Sequence, residues 1–273
     1  MLRFLEVTKT YPGGLVAMDR VSLDVPRGQF CVVLGPSGAG KSTLLRSVNG
    51  LTEATSGTIE VGGVVLTPKT LQRVRAEVAM VHQQFNLVGR LSVLTNVLTG
   101  TLPRVSMLRS MVGVFPEEYR RKACRLLADV GLEEEHLYRR ASRLSGGQQQ
   151  RVAIARAFIL GPKVVLADEP VASLDQASSL TIMHLLRETS AQRETTVLCS
   201  LHQVDLALKF ADRVVGMRSG RTVFDGPPHR LDADALARIY EKDDPDLTAR
   251  GGEERARAEK VRAEAARAAG TMP

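Results

Sequence analysis

Gly35, Pro36, Ser37, Gly38, Ala39, Gly40, Lys41, Ser42 and Thr43 spell GPSGAGKST, with glycines, lysine and serine at the fixed positions of G-x-x-x-x-G-K-[ST]. Glycines let a loop wrap closely enough for backbone N–H groups to point inward at phosphate oxygens. Lys41 adds a point charge toward the β- and γ-phosphates, and the Ser42 hydroxyl completes a Mg²⁺ shell. An apolar run, Phe30 to Leu34, precedes the loop, and a helix-like segment, Ser42 to Val48, follows it. The motif needs that strand–loop–helix setting, because the helix offers its positive end to the same anion. The stretch reads as a nucleotide-binding loop, a feature shared by kinases, GTPases and motors.

Two further stretches carry chemistry. Val164 to Ala167 is an apolar strand ending in Asp168 and Glu169. A strand end is rigid, and it would deliver Asp168 to the Mg²⁺ beside Ser42. Glu169 would then face the γ-phosphate, where a carboxylate orients or deprotonates an attacking water. Leu144, Ser145, Gly146, Gly147 and Gln148 spell LSGGQ, ahead of a helix from Val152 to Leu160. Ser145 is a natural N-cap, and the glycines leave the first helical N–H groups open to a second anion. Either the chain binds two phosphates, or two copies share each nucleotide.

These groups need a scaffold, and the hydrophobic pattern supplies one. Leu2 to Val7 and Val21 to Val25 read as short strands separated by the turn at Tyr11 to Gly14. Thr55 to Gly63 reads as strand and turn, Pro68 to Ala76 as a short basic helix, and Val78 to His82 as a strand. From about Phe85 to Leu160 no convincing strand is evident. Ala123, Leu126, Leu127 and Val130 fall on one helix face, with Pro116 at the start and Gly131 just past the end. Alternation then resumes: strand Lys163 to Ala167, helix Gln176 to Glu188, strand Thr195 to Ser200, helix Val204 to Phe210, strand Arg213 to Met217. The expected fold is α/β, with a mostly parallel sheet buried on both faces and a helical subdomain inserted at about residues 85–160. Residues 1–245 form the domain. Residues 246–273 form a tail of Ala, Glu and Arg, whose opposite charges four apart suit a solvated helix.

Composition narrows the classes. No run approaches the roughly 18 apolar residues of a membrane span, and MLRFLEV lacks the apolar centre of a signal peptide. A protein of the cytoplasm is expected, able to sit against a membrane. Cys31, Cys124 and Cys199 have no metal-type spacing and read as buried reduced thiols. The net charge of +7 is spread over scattered arginines without an RNA-binding aromatic motif, so nucleic acid is not expected as a partner. Mild basicity equally suits docking at an anionic membrane face.

LSGGQ, the GPSGAGKST loop and VVLADEP together resemble the ATP-binding subunits of ABC transporters, over about residues 2–242. The resemblance implies a P-loop NTPase fold of ABC type, with a RecA-like core, an antiparallel β-subdomain and the inserted helical subdomain. It implies ATP and Mg²⁺ as ligands. It also implies a head-to-tail homodimer, in which Leu144 to Gln148 of one subunit close on the ATP held by the other. Gln83 matches the glutamine that contacts Mg²⁺ and water, and Asp175, in VASLD, matches the residue at the dimer seam. His202, in SLHQVD, matches the histidine that holds the γ-phosphate. Tyr11 matches the aromatic that stacks on adenine. The remaining histidines, His82, His136, His184 and His229, match no motif and are expected on surfaces or in packing.

Finer wording resembles the phosphonate-import ATP-binding subunits: Gln83 to Leu98, VASLD in place of TSALD, LHQVDLA, and FDGPP at Phe224 to Pro228. His82 departs from that pattern, since an aromatic residue is commoner there. The resemblance implies permease subunits and a solute-binding protein as partners, and a place at the cytoplasmic face of the inner membrane. Amino-acid importers and lipoprotein-release complexes share part of the wording, and non-transport ATPases of the superfamily stay a further alternative. No residue here encodes the solute.

Overall fold

Strand β3, Phe30–Leu34, is buried on both faces, and its side chains divide between two cores by strict alternation. Phe30, Val32 and Leu34 enter one core, and Cys31 and Val33 the other. In β7 (Val164–Asp168), Val165 and Ala167 face the first core, and Val164 and Leu166 the second. β8 (Thr196–Leu201) follows the same rule. A continuous apolar strand is thus the sequence mark of a sheet covered on both sides.

The computed structural model describes residues 1–106 and 113–240. The expected tail at residues 246–273, and the boundary at 245, lie outside the described residues. The main sheet has the order β10-β9-β3-β8-β7-β6. Here β6 is Val78–Val81, β9 Arg213–Arg218 and β10 Arg221–Gly226. All neighbours pair in parallel except β10, which runs antiparallel to β9. A second sheet, wholly antiparallel, has the order β2-β1-β4-β5: Val16–Val25, Leu2–Thr10, Ser56–Val61 and Val64–Val65.

Helix α1 (Lys41–Val48) lies between the two sheets and buries Leu44, Leu45 and Val48 in the core they share. The opposite core holds α3 (Val93–Thr99), α4 (Glu117–Asp129) and α5 (Gly146–Phe158), followed by α6 (Gln176–Gln192), α7 (Val204–Phe210) and α8 (Ala233–Tyr240). Removing the side chain of a fully buried residue such as Phe158 would cost about 3–5 kcal/mol.

Several expected boundaries move, each for a local reason. β1 and β2 are longer than Leu2 to Val7 and Val21 to Val25, because antiparallel pairing carries polar residues along: Lys9 faces Met18 and Thr10 faces Val16. The helix expected at Pro68 to Ala76 shortens to α2, Leu71–Arg75, because Thr67 and Thr70 exchange side-chain and backbone hydrogen bonds in a turn. β10 was not expected. It is a half-exposed edge strand without an apolar run, tied down by Arg213 and Asp225. Among the described residues between 85 and 160 there is one isolated bridge, Ser92 with Arg140, and no strand.

Candidate functional site

The carboxyl ends of β3, β8 and β7 lie side by side, with Leu34 opposite Leu201 and Asp168 opposite Ser200. Open parallel sheets bind ligands beyond this edge. The loop from Gly35 to Thr43 leaves β3 here and enters α1. Gly40 has φ of +102°, and a Cβ on it would run into the Ala17 carbonyl oxygen. Only glycine satisfies both the left-handed backbone and the close approach. Lys41 is 4% exposed, and its Nζ donates to the carbonyls of Gly35 at 2.7 Å and Pro36 at 3.1 Å. Burial holds its ammonium below the usual lysine range, while Glu169 and Asp168 pull it back up.

Asp168 stands at the centre of a polar knot. Ser42 Oγ donates to its Oδ1 at 2.8 Å, and Ser200 Oγ donates to the same atom at 3.0 Å. Arg46, one turn along α1, faces Oδ2 at 3.5 Å. A buried carboxylate beside a serine hydroxyl is a hard oxygen donor set, which fits Mg²⁺ better than metals that favour thiolate or imidazole.

Glu169 turns the other way. Its φ of +48° is left-handed, so two successive carboxylates leave the strand in different directions. Its backbone N–H donates to Ser200 Oγ at 3.0 Å, and its Oε1 lies 2.6 Å from His202 Nε2. Ser200 was not singled out from the sequence. It links both carboxylates, and the signal was a polar residue inside the fully buried strand Thr196–Leu201.

The other expected residues are placed as follows. Gln83 is exposed in the turn after β6. It lies two residues past Val81, and Val81 pairs with Ala167, so Gln83 and Glu169 leave adjacent strands at one level. It is not hydrogen-bonded to the Asp168 knot. Two residues on, Phe85 and Asn86 both have positive φ, and Arg156 of α5 donates to their carbonyls at 2.8 Å and 2.6 Å. Tyr11 brings its hydroxyl to 3.4 Å from Thr43 Oγ1, and Lys9 Nζ sits 5.1 Å from its ring centre. The Thr43 hydrogen bond, partly offset by burial, holds the Tyr11 phenol below its usual range.

Ser145 caps α5 through a full capping box. Its Oγ accepts from Gln148 N–H at 3.3 Å, and Gln148 Oε1 accepts from Ser145 N–H at 3.0 Å. Asp175 caps α6 by accepting from the backbone and hydroxyl of Ser178. Both helix starts border one polar recess of about 360 Å³, which Ser145, Gly147, Gln148, Arg151 and Ser178 help to line. No residue of the Gly35–Thr43 loop lines that recess, so the two are separate.

Of the thiols, Cys31 and Cys199 are buried as expected, while Cys124 is only half-buried because it flanks the apolar stripe of α4. His184 packs edge-on against Phe210 at 4.7 Å between ring centres. No helix among the described residues is long and apolar enough to cross a membrane.

The family model described as ABC transporter matches residues 18–172. The chain is 55% identical over 241 residues to a phosphonates import ATP-binding protein of Hydrogenovibrio crunogenus, covering 88% of this chain and 89% of that one. It is 53% identical over 237 residues to a protein of the same description from Thiobacillus denitrificans, covering 87% and 91%. Among solved structures it is similar to a dimeric ATP-binding cassette in a post-hydrolysis state bound to ADP and Pi. That match has a TM-score of 0.73 and 34% identity, over 84% of this chain and 99% of the other.

Proposed function

The chain belongs to the ABC transporter family of ATP-binding proteins, and from that premise we propose that it hydrolyses ATP to drive the import of phosphonates through separate permease subunits. The solute is supported by relatives named for phosphonates import at up to 55% identity over most of both chains. That observation favours phosphonates over the amino-acid and lipoprotein alternatives. A companion solute-binding protein, a peripheral place at the cytoplasmic face of the membrane, and Mg²⁺ belong to the same reading.

The chemistry follows from the geometry. Backbone N–H groups of the loop and the buried Lys41 bind the phosphates, and Lys41 exchanges its two carbonyl partners for phosphate oxygens. Ser42 and Asp168 would hold Mg²⁺, which when bound neutralises charge between the β- and γ-phosphates. Glu169 takes the attacking water as general base. His202 Nε2–H, which in this arrangement donates to Glu169 Oε1 at 2.6 Å, would leave that carboxylate for the γ-phosphate once ATP is bound, meeting the negative charge that develops there. Gln83 holds the water from the neighbouring strand end, and Tyr11 stacks on the base.

The separate recess at Ser145 and Gly147 supports completion of each ATP site by a second copy, and the solved relative is itself dimeric. Closing the dimer would exclude water and finish the oxyanion contacts, which turns hydrolysis into a mechanical step.

The test has two arms. ATP hydrolysis by the purified chain should rise faster than linearly with protein concentration, because the active form is a dimer. Membrane vesicles holding the chain with its permeases and binding protein should take up labelled phosphonate when supplied with ATP. Uptake of an amino acid but no phosphonate would overturn the solute while leaving the ATPase intact.

A further inference from the structure

His136 is 9% exposed, in the short helical turn Glu134–His136 that precedes the LSGGQ stretch. It matched no motif. Its Nε2 lies 3.3 Å from Gln148 Nε2. The orientation of the Gln148 amide is fixed independently, because its Oε1 accepts the backbone N–H of Ser145 at 3.0 Å. The NH₂ end is therefore the end that meets His136. An NH₂ group only donates, so the imidazole Nε2 must accept and the ring proton must sit on Nδ1. Nδ1 is buried and has no partner among the described residues. Buried polar atoms are rarely left so, and of the two ring nitrogens it is the one facing Gln148 that is satisfied.

The hydrogen-bond chain continues into the motif. With its amide held, Gln148 closes the capping box, and its backbone N–H occupies a lone pair of Ser145 Oγ at 3.3 Å. The serine's own O–H is then left to donate into the recess. A serine whose lone pair is engaged behind it is oriented as a donor to an anion in front.

We propose that His136 is a positioning residue for the LSGGQ site: by accepting from the Gln148 amide, it fixes the capping box that aims the Ser145 hydroxyl at the γ-phosphate of ATP bound to a second copy of this chain. The proposal rests on the reading that Leu144 to Gln148 act in trans. It goes beyond that reading by placing a residue outside the motif in control of the motif's geometry. A nearby carboxylate competes for the same nitrogen, since Glu135 Oε1 lies 3.8 Å from Nε2, but Arg139 holds Glu135 at 2.9 Å.

The experiment uses the full chain carrying Glu169→Gln, which should accumulate as an ATP-bound dimer. Dimerisation with ATP is followed by analytical ultracentrifugation. ATP affinity of the monomer is measured separately at dilution with a fluorescent ATP analogue. Adding His136→Leu should weaken dimerisation about tenfold, since one hydrogen-bonded constraint is lost at each of two sites. Monomer affinity should stay within about twofold, because the chain's own phosphate loop is untouched. His136→Gln places a carbonyl oxygen where Nε2 accepted, and it should recover most of the loss. His136→Asn, polar but too short, should behave like leucine and serves if the leucine variant does not fold. Unchanged dimerisation in both the Leu and Asn variants would overturn the proposal, as would a Gln variant no better than them. If the parent Glu169→Gln chain fails to dimerise with ATP, the trans reading itself is what fails.

Discussion

Glu169 and His202 meet at 2.6 Å between Oε1 and Nε2, although Glu169 leaves its strand with a left-handed φ of +48°. That backbone turn sends Glu169 toward the histidine and leaves Asp168 facing Ser42, so neighbouring carboxylates serve different atoms. Replacing Glu169 by glutamine would remove the proposed general base and keep the shape. Hydrolysis should fall by about 10²–10⁴-fold with ATP affinity retained. Phosphate release and equilibrium ATP binding, measured on one preparation, check this; wild-type turnover would remove Glu169 from the role.

Lys41 makes its case through its present partners. Its Nζ holds the Gly35 and Pro36 carbonyls, so the ammonium is already parked where phosphate oxygens would replace them. Lys41→Ala should weaken ATP binding about 10–100-fold, the worth of a charge-assisted contact to phosphate. A fluorescence titration with an ATP analogue measures it, and unchanged affinity would show that the loop's N–H groups suffice.

Much of this was legible in the sequence because the chemistry sits in continuous stretches. GPSGAGKST, the strand ending in Asp168-Glu169, and LSGGQ each carry their residues at fixed spacing, and each appears at the strand or helix end that its pattern required. What stayed hidden depends on long-range neighbours. Ser200 is one serine in an apolar strand until the pairing of β7 with β8 sets it opposite Asp168. Arg156 reads as one polar position of α5 until the fold brings it to the carbonyls of Phe85 and Asn86. β10 escaped because an edge strand that is half exposed need not alternate cleanly.

Ser200 gives a prediction that the sequence alone would not. Its hydroxyl donates to Asp168 Oδ1 and accepts from Glu169 N–H, at 3.0 Å each. Ser200→Ala strips a hydrogen bond from the buried Asp168 carboxylate and from the backbone N–H of Glu169. Stability should drop by about 1–3 kcal/mol. Turnover should fall while ATP affinity holds, because the Gly35–Thr43 loop proposed to bind phosphate keeps its own contacts. Chemical denaturation and steady-state kinetics would separate the two effects, and a variant equal to wild type in both would make Ser200 a mere filler.

Arg156 is a second such case. Its two terminal nitrogens each take one carbonyl of the left-handed pair Phe85 and Asn86, just after Gln83. A lysine keeps the charge but cannot present that planar fork. Arg156→Lys should therefore lower turnover by several-fold without weakening ATP binding. Proteolysis or hydrogen exchange at residues 83–88 should become faster. Exchange rates unchanged in that segment would show that the turn holds its conformation without the guanidinium.

The buried thiols set an alkaline limit. Complete burial pushes the Cys31 thiol up to about 12 from an ordinary 9.0, and it pushes Cys199 up as well. Below the unfolded value both states hold the proton, and the thiol contributes its full share of stability. As pH rises from 9.0 toward about 12, the unfolded chain ionises and the folded chain does not, so that share is lost. Each such thiol steepens the fall in stability by about 1.4 kcal/mol per pH unit within that window. Thermal unfolding of Cys31→Ala should show a lower melting temperature at neutral pH and a shallower alkaline decline than wild type. Reagent labelling gives an independent check: half-buried Cys124 should react in the native protein, and Cys31 and Cys199 only after unfolding. An alkaline slope unchanged by the substitution, or rapid native labelling of Cys31, would mean that the β3 thiol is open to solvent on the timescale of the experiment.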